Sequence, residues 1–246
     1  MMTRKQYFSS GLKDGMPICF GYFAVSFAFG IQAAGIGLSV FEASVLSALN
    51  VTSAGQFAAL AIIASGASLI ELAFTQLIIN LRYFLMSCAL SQKLSPSLPL
   101  GHRLGIAYGM TDEIFAVSVS QREPLSPFYS YGLIAVAIPG WVLGTALGAA
   151  AGNILPAVLT NALGIAIYGM FIAIILPPAK ENRVVAGVVV LSMVLSALFT
   201  YLPVLCNISS GFRIIVITLI TAGGAALLFP IPDEPAEPKK EMPHES

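Results

Sequence analysis

The chain has 246 residues, of which 57% are hydrophobic and only 10% are charged, and its formal net charge at pH 7 is zero. Soluble domains carry about a quarter charged residues, so this composition, with a mean hydropathy of +0.86, excludes a water-soluble protein. The balanced charge gives no indication of nucleic-acid binding. The sequence predicts an all-α, polytopic membrane protein with about six to eight membrane helices.

The segment before the first apolar stretch carries Arg4, Lys5 and Lys13, and residues 1–15 are expected to form a cytoplasmic N-terminus. The apolar run after it is too long for the core of a secretory signal, and no small-residue cleavage pattern stands out after it. We therefore interpret this run as a retained first helix. A single transmembrane domain is expected over residues 16–230, followed by a disordered, hydrophilic tail over residues 231–246.

Apolar stretches follow one another along this domain, and most reach the roughly 20 residues that a tilted helix needs to cross the hydrocarbon core. They lie near 16–38, 43–64, 65–91, 104–120, 128–151, 154–177, 184–205 and 212–230. A constant, gap-free shift pairs Gly55 with Gly169 and Phe57 with Phe171. This pairing predicts an internal repeat of residues 16–120 and 128–230.

Two topologies are compatible with these stretches. If all of them span the membrane, the two repeats are parallel and the basic loop 92–103 lies outside the cell, against the usual preference of Lys and Arg for cytoplasmic loops. If the second and sixth stretches are broken or re-entrant, loops 92–103 and 178–183 both face the cytoplasm and the repeats are inverted. The polar run from Asn50 to Gly55 inside the second stretch favours such a break, because unwound backbone in a membrane must line a cavity.

The third stretch carries Glu71, Thr75 and Arg82 on one helical face, with Gln76 and Asn80 forming a second pair four residues apart. Ionisable groups inside a membrane indicate a functional site by default. The structural alternative places Glu71 near one interface and lets Arg82 extend toward the other, while the polar groups between them hold helices together. Both interpretations stay open for these side chains.

The fourth stretch contains Asp112 next to Glu113, after Gly109 and Thr111. Adjacent carboxylates repel one another and lose hydration when buried, so at least one of them is expected to hold a proton, as in a proton relay. A helix N-terminus at this point would suit a carboxylate ligand. The alternative is a solvated helix end whose acids pair with Arg82 or Arg103.

Signatures of enzymes are missing from the sequence. The two histidines, His102 and His244, exclude H-E-x-x-H metal chemistry, and no G-K-[ST] segment exists that would form a nucleotide-binding loop. A channel would be expected to show a repeated filter motif or a ring of charges, and neither is seen. We therefore expect a protein that is not an enzyme and that has no cofactor and no metal. Transport by such a protein would be driven by a gradient rather than by nucleotide hydrolysis.

Four blocks, in this order, resemble the AzlC family of large subunits of bacterial branched-chain amino acid exporters. They are FGYFAVSFAFG at 20–30, SAGQFAAL at 53–60, INLRYFLMS at 79–87 and GMTDEIFAVS at 109–118, and the likeness extends over most of residues 8–230. The resemblance implies export of valine, leucine, isoleucine or methionine across the bacterial inner membrane, with a small AzlD-like membrane subunit and the proton motive force. The chain departs from the family pattern at Ala24, where proline is common, in the 53–57 block, and at Tyr83, where histidine is common.

A zwitterionic, aliphatic amino acid needs a counter-charge for each end and an apolar wall for its side chain. Arg82 or the 53–56 backbone would bind the carboxylate, and Asp112 or Glu113 the ammonium group. The candidate residues for substrate binding or proton coupling are Ser53, Gln56, Phe57, Glu71, Asn80, Arg82, Thr111, Asp112 and Glu113. Two other functions stay open, namely a non-transporting scaffold or sensor subunit and a passive channel for a small neutral solute.

Overall fold

A computed structural model describes residues 3–121, 124–152, 154, 172, 175–202, 205 and 207–230 of the chain. Within these ranges the regular structure is helical, and the only β pairing is an isolated bridge between Leu94 and Leu125. The helices are α1 (Arg4–Gly35), α2 (Val40–Leu49), α3 (Ser53–Ala64), α4 (Leu69–Lys93), α5 (Leu100–Tyr108), α6 (Asp112–Val119), α7 (Pro127–Gly152), α8 (Arg183–Tyr201), α9 (Ser210–Thr218) and, after a π-helical turn (Leu219–Gly223), α10 (Gly224–Leu228).

Five helical segments of the described chain are long and apolar enough to cross a membrane. They are α1, α4, α7, α8 and the continuous run Ser210–Leu228. The expectation of an all-α, polytopic membrane protein is therefore confirmed. The remaining apolar helices are short, and two of them form a hairpin on which the candidate site depends.

Helices α1 and α7 pack against one another along nearly their whole length through glycines. Gly11 lies against Gly132 near the start of both helices, and Gly148 lies against the backbone of Phe27 near their ends. Contacts that advance together along two helices mean that the helices run parallel. Small residues allow this close backbone approach in a membrane, where apolar side chains gain nothing over lipid by associating.

The second apolar stretch forms a re-entrant hairpin of α2 and α3. The Gln56 Nε2 atom donates a 3.0 Å hydrogen bond to Ser47 Oγ, although a continuous helix would place these residues about 13 Å apart. Ala43 of α2 and Leu60 of α3 also belong to one buried cluster, with Phe29 of α1. The chain therefore turns back after Leu49, and both arms open toward the C-terminal ends of α1 and α7.

Helices α5 and α6 form a second hairpin that enters from the opposite end. Gly105 lies against Tyr131 near the start of α7, whereas Thr111 and Glu113 reach Tyr22 in the middle of α1. Helix α6 then returns, because Gln121 just beyond it donates a 2.9 Å hydrogen bond to the Tyr129 hydroxyl at the start of α7. The fourth apolar stretch was expected to span the membrane, but it reaches only the middle and comes back.

Helix α4 runs between the two hairpins, antiparallel to α1. Its start lies at the end where α3 finishes, its centre contacts the tips of both hairpins, and Lys93 at its end bonds to the Val119 carbonyl. The unit of α1 with α2 and α3 is thus related to the unit of α4 with α5 and α6 by an inversion. The sequence Tyr-Phe-x-x-Ser occurs in both long helices, at 22–26 and at 83–87.

An inverted relation between residues 16–120 and 128–230 is one of the two alternatives that the sequence leaves open. It requires α1 and α7 to be antiparallel, and their glycine contacts make them parallel. The inversion lies instead within the first range, and the physical reason is that the fourth stretch turns back as the second does. Most of the sixth stretch, 154–177, lies outside the described residues.

Candidate functional site

A cavity of about 570 Å³ lies where the tips of the two hairpins meet, beside the middle of α1, α4 and α7. This volume is within the usual range for pockets that bind small molecules. The lining combines charged, hydroxyl, aromatic and aliphatic side chains, contributed by Pro17, Ile18, Gly21, Tyr22, Val25, Val51, Ser53, Ala54, Arg82, Tyr83, Thr111, Asp112, Glu113, Trp141 and Ile175.

An ion pair between Arg82 of α4 and Asp112 of α6 lies at the cavity. The Arg82 Nη1 and Asp112 Oδ2 atoms are 2.9 Å apart, and the two side chains keep 42% and 47% of their surface exposed. The guanidinium also lies over the Tyr83 ring, 4.9 Å from its centroid, and donates a 3.1 Å hydrogen bond to the Tyr83 hydroxyl. Because both charges remain partly exposed, each can exchange its partner for an opposite charge on a ligand.

The second carboxylate of the cavity, that of Glu113, is hydrogen-bonded to a tyrosine hydroxyl that also contacts a threonine hydroxyl. The Tyr22 hydroxyl lies 2.5 Å from Glu113 Oε2 and 2.5 Å from Thr111 Oγ1. A phenol has one proton, and the carboxylate is the stronger acceptor, so Tyr22 donates to Glu113 and accepts from Thr111. Tyr22 on α1 thereby fixes the position of Glu113 at the tip of the second hairpin.

Two helix N-termini point toward the cavity from opposite hairpins. Thr111 caps α6, since its Oγ1 atom accepts a 3.3 Å hydrogen bond from the Ile114 amide, and Asp112 and Glu113 occupy the first turn. Ser53 and Ala54 occupy the first turn of α3. The first amides of a helix have no intrahelical partner, so the start of α3 is suited to bind a carboxylate.

Trp141 of α7 connects the aromatic wall of the cavity to the first hairpin. Its ring meets the Tyr22 ring edge to face, with centroids 5.3 Å apart. Its Nε1 atom donates a 2.9 Å hydrogen bond to Gln56 Oε1, and Gln56 in turn donates to Ser47. Ser47 Oγ lies 2.7 Å from Thr145 Oγ1, so the hairpin is fixed to α7 at two levels.

The model of the AzlC protein family matches residues 17–155, which include both hairpins and every charged residue of the cavity. The chain belongs to the AzlC family. It is 35% identical to an uncharacterized membrane protein of Archaeoglobus fulgidus over 76% of this chain and 83% of that protein. It is 31% identical to the inner membrane protein YgaZ of Escherichia coli over 72% of this chain and 75% of that protein. No solved structure matches.

As a member of the AzlC family, the chain is a multi-pass membrane protein, and at the level of the family its function is membrane transport. All but one of the residues that line the cavity lie within the matched range, and the short helices of the two hairpins have their ends beside the middle of α1, α4 and α7. Interrupted helices whose ends meet at a cavity are common at ligand sites of membrane transport proteins.

The cavity of this AzlC chain brings together part of the residue set predicted from the sequence. The residues that line it are Ser53, Arg82, Thr111, Asp112 and Glu113. Asn80 does not line the cavity. Its Nδ2 atom donates a hydrogen bond to Gln76 Oε1, and Gln76 Nε2 donates one to the carbonyl of Gly55. Asn80 supports the junction of α3 and α4.

The other predicted residues lie away from the cavity. Gln56 is fully buried between Ser47 and Trp141, where it holds the first hairpin. The Phe57 ring meets the Phe29 ring edge to face, with centroids 5.5 Å apart. Glu71 contacts the start of α9 near the end of the protein opposite the N-terminus.

Sequence reasoning missed Tyr22, Trp141 and most of the aliphatic wall. Aromatic and aliphatic side chains are ordinary in membrane helices, so composition gave no signal for them. The repeated Tyr-Phe-x-x-Ser segment would have indicated Tyr22, because its counterpart Tyr83 adjoins Arg82 in the same cavity.

Proposed function

We propose that the chain is the large subunit of a secondary transporter that exports branched-chain and related aliphatic amino acids, and that it is not an enzyme. The observation that carries this proposal is the exposed pair of Arg82 and Asp112 beside an apolar wall, at the meeting point of two re-entrant hairpins. An amino acid presents one cation and one anion on adjacent atoms and an aliphatic side chain. The cavity offers a group for each.

Binding in this proposal proceeds by exchange of ion pairs. The substrate carboxylate binds to Arg82 and to the first amides of α3, and the substrate ammonium group binds to Asp112 and Glu113. The internal pair opens as the substrate enters, so the charge of the cavity stays balanced throughout. Ile18, Val25, Val51 and Trp141 receive the aliphatic side chain, which accounts for a preference for valine, leucine, isoleucine and methionine.

The distribution of basic residues supports a cytoplasmic N-terminus and an inner-membrane location. Arg4, Lys5 and Lys13 lie at the end of the molecule that also carries Lys93 and Arg103, whereas the connections 36–39 and 65–68 at the opposite end contain no Lys or Arg. Short cytoplasmic loops hold the excess of these residues in membrane proteins. In this orientation the second hairpin is the cytoplasmic one.

A small AzlD-like membrane subunit is proposed to complete the transporter, and the proton motive force to drive it. Glu113, held by Tyr22, is the group placed to receive a proton when the substrate ammonium leaves. The exposed apolar face of α4, with Phe74, Leu77, Leu81 and Phe84, is available for lipid or for this subunit.

The experiment measures intracellular valine, leucine, isoleucine and methionine after a dipeptide load, in cells that lack their own exporters. The chain is expressed with and without the small subunit, and with and without an uncoupler. We expect clearance of at least one of these amino acids only when both chains are present, and loss of clearance with the uncoupler.

Two other functions give different results in the same cells. A scaffold or sensor subunit would form a stable complex without any clearance. A passive channel would lower the intracellular pool only down its own gradient, and the uncoupler would not change the rate. Either result would overturn the proposal of a driven exporter.

A further inference from the structure

A second polar cluster lies away from the cavity, where the start of α4 meets the start of α9. Glu71 keeps only 6% of its surface exposed and Thr75 is completely buried. Neither side chain lines the cavity. A buried carboxylate in a membrane protein needs compensation from the groups around it.

Glu71 takes over the capping of α9. Its Oε1 atom accepts a 2.8 Å hydrogen bond from the Gly211 amide, which a serine at the N-cap would otherwise bind. Ser209 stands at that N-cap and makes no capping hydrogen bond. The hydroxyl oxygens of Ser209 and Ser210 are both buried without a hydrogen-bond partner among the described residues.

Thr75 contributes a third hydroxyl of the same kind. Its Oγ1 atom is buried and has no hydrogen-bond partner in the described part of the chain. A Cβ atom placed on Gly211 would lie 2.5 Å from Glu71 Oε1 and 2.7 Å from Thr75 Oγ1, so these two oxygens converge on the same side of Gly211. Glycine at 211 leaves this small space open.

We propose that Glu71, Thr75, Ser209 and Ser210 form a binding site for Na⁺. One carboxylate with several hydroxyl oxygens is a set of hard ligands, and the unpartnered hydroxyls are the atoms that a cation would satisfy together. A proton would satisfy only one of these oxygens. The amide end of α9 offsets part of the Glu71 charge, so a monovalent ion fits the site better than a divalent one, which must lose a more tightly held hydration shell.

Bound Na⁺ would hold α9 against α4, the helix that carries Arg82 two turns further along. The site thus connects a cation to the helix that faces the cavity. The proposal goes beyond the proposed function and does not depend on it, because cation binding is measured without any amino acid.

The experiment follows thermal unfolding of the full chain, purified in detergent, in NaCl, KCl or choline chloride at equal ionic strength. We expect 100 mM NaCl to raise Tm by about 3 °C over choline chloride, and KCl to raise it less. The variants Thr75→Val and Glu71→Gln should lose this Na⁺-dependent shift. The variant Ser118→Ala, which removes another buried hydroxyl without a described partner, should keep it.

Thr75→Val decides the matter if Glu71→Gln does not fold, because valine matches threonine in shape. An equal response to NaCl and choline chloride in the unchanged protein would overturn the proposal, as would a full Na⁺ shift in Thr75→Val. Stabilisation by acid alone in Na⁺-free buffer, lost in Glu71→Gln, would assign the site to a proton and also overturn it.

Discussion

The pair of Arg82 and Asp112 places two opposite charges, 2.9 Å apart, at the wall of a cavity within the membrane. Neither charge is sealed in protein, and each is about as exposed as its partner. A sealed pair would serve mainly to join α4 to α6, whereas a partly exposed pair can separate. The role in transport proposed for this pair depends on that exposure.

Removal of either charge should abolish most export. We expect Arg82→Ala and Asp112→Asn each to lower the rate of amino acid clearance by about tenfold or more, since a hydrogen bond to a charged group contributes roughly 1.5–3 kcal/mol. The measurement is clearance after a dipeptide load at matched protein abundance. Arg103→Lys is the control, because Arg103 bonds to the carbonyls of Ser95 and Leu98 outside the cavity. Unchanged export in both variants would contradict the ion-pair exchange.

Loss of the Tyr22 hydroxyl should weaken export without unfolding the protein. Tyr22→Phe keeps the ring against Trp141 and removes the group between Thr111 and Glu113, at a cost of about 1–3 kcal/mol for the polar groups left unpaired. We expect at least a fivefold rise in the substrate concentration for half-maximal transport. Tyr108→Phe, which removes a hydroxyl bonded to the Ala48 carbonyl outside the cavity, should have no such effect. Equal behaviour of the two variants would remove Tyr22 from the site.

At this scale the sequence predicts charges well and their surroundings poorly. Arg82, Asp112 and Glu113 were predicted because ionisable residues stand out against an apolar stretch. Glu71 was predicted by the same argument and Gln56 as a polar hydrogen-bonding group, but both lie at other junctions of the fold. Only the three-dimensional structure separates these groups, because a polar residue in a helix looks the same whether it faces a cavity or another helix.

Among the elements, α1 and α7 form the longest contact, and it consists of glycine against backbone. A methyl group on Gly148 would overlap the backbone of Phe27, and one on Gly132 would overlap the backbone of Phe8. Backbone atoms cannot move aside as flexible side chains can. The two helices therefore have to separate if any of these glycines gains a side chain.

Gly148→Ala should destabilise the protein. Alanine normally stabilises a helix relative to glycine, but here we expect the overlap with α1 to cost about 1–3 kcal/mol and to lower Tm by several degrees. Thermal unfolding of the purified chain measures this change. Gly187→Ala on α8 is the matched control, since no neighbouring side chain or helix among the described residues lies within 4 Å of the added methyl group, and its Tm should be unchanged or higher. A similar Tm for both variants would mean that the α1–α7 contact is looser than the structure shows.

The sequence predicts the turn of the first hairpin more readily than the turn of the second. The polar run from Asn50 to Gly55 predicts the break between α2 and α3. The return of the chain at Gly109–Thr111 is harder to predict, because the apolar stretch around it is long enough to cross the membrane. The direction of α7 relative to α1 was not predictable either, since glycine faces permit parallel and antiparallel packing alike.

For the whole molecule, the hairpins determine which connections share a side of the membrane. With both hairpins re-entrant and the N-terminus in the cytoplasm, residue 67 lies outside and residue 97 inside. If every apolar stretch spanned, these two positions would be exchanged. The two topologies therefore differ at sites that a membrane-impermeant reagent can distinguish.

Single cysteines at these positions should label from opposite sides. In a background without Cys19, Cys88 and Cys206, we expect Ala67→Cys to react with an impermeant maleimide in intact cells, and Ser97→Cys to react only after the membrane is opened. Each variant serves as the control for the other. Labelling of Ser97→Cys in intact cells, with protection of Ala67→Cys, would support the all-spanning topology instead.

The parallel packing of α1 against α7 also affects how the protein is assembled in the membrane. The first of these helices is synthesised long before the second, and neither hairpin is long enough to be retained by the bilayer as a spanning segment. Before α7 leaves the translocon and packs against α1, both hairpins are therefore covered only in part, by α1 and α4. Ribosome-bound chains whose α7 is still inside the ribosome should accordingly expose the hairpins to quality-control proteases, and chains long enough for residue 152 to have left the ribosome should not.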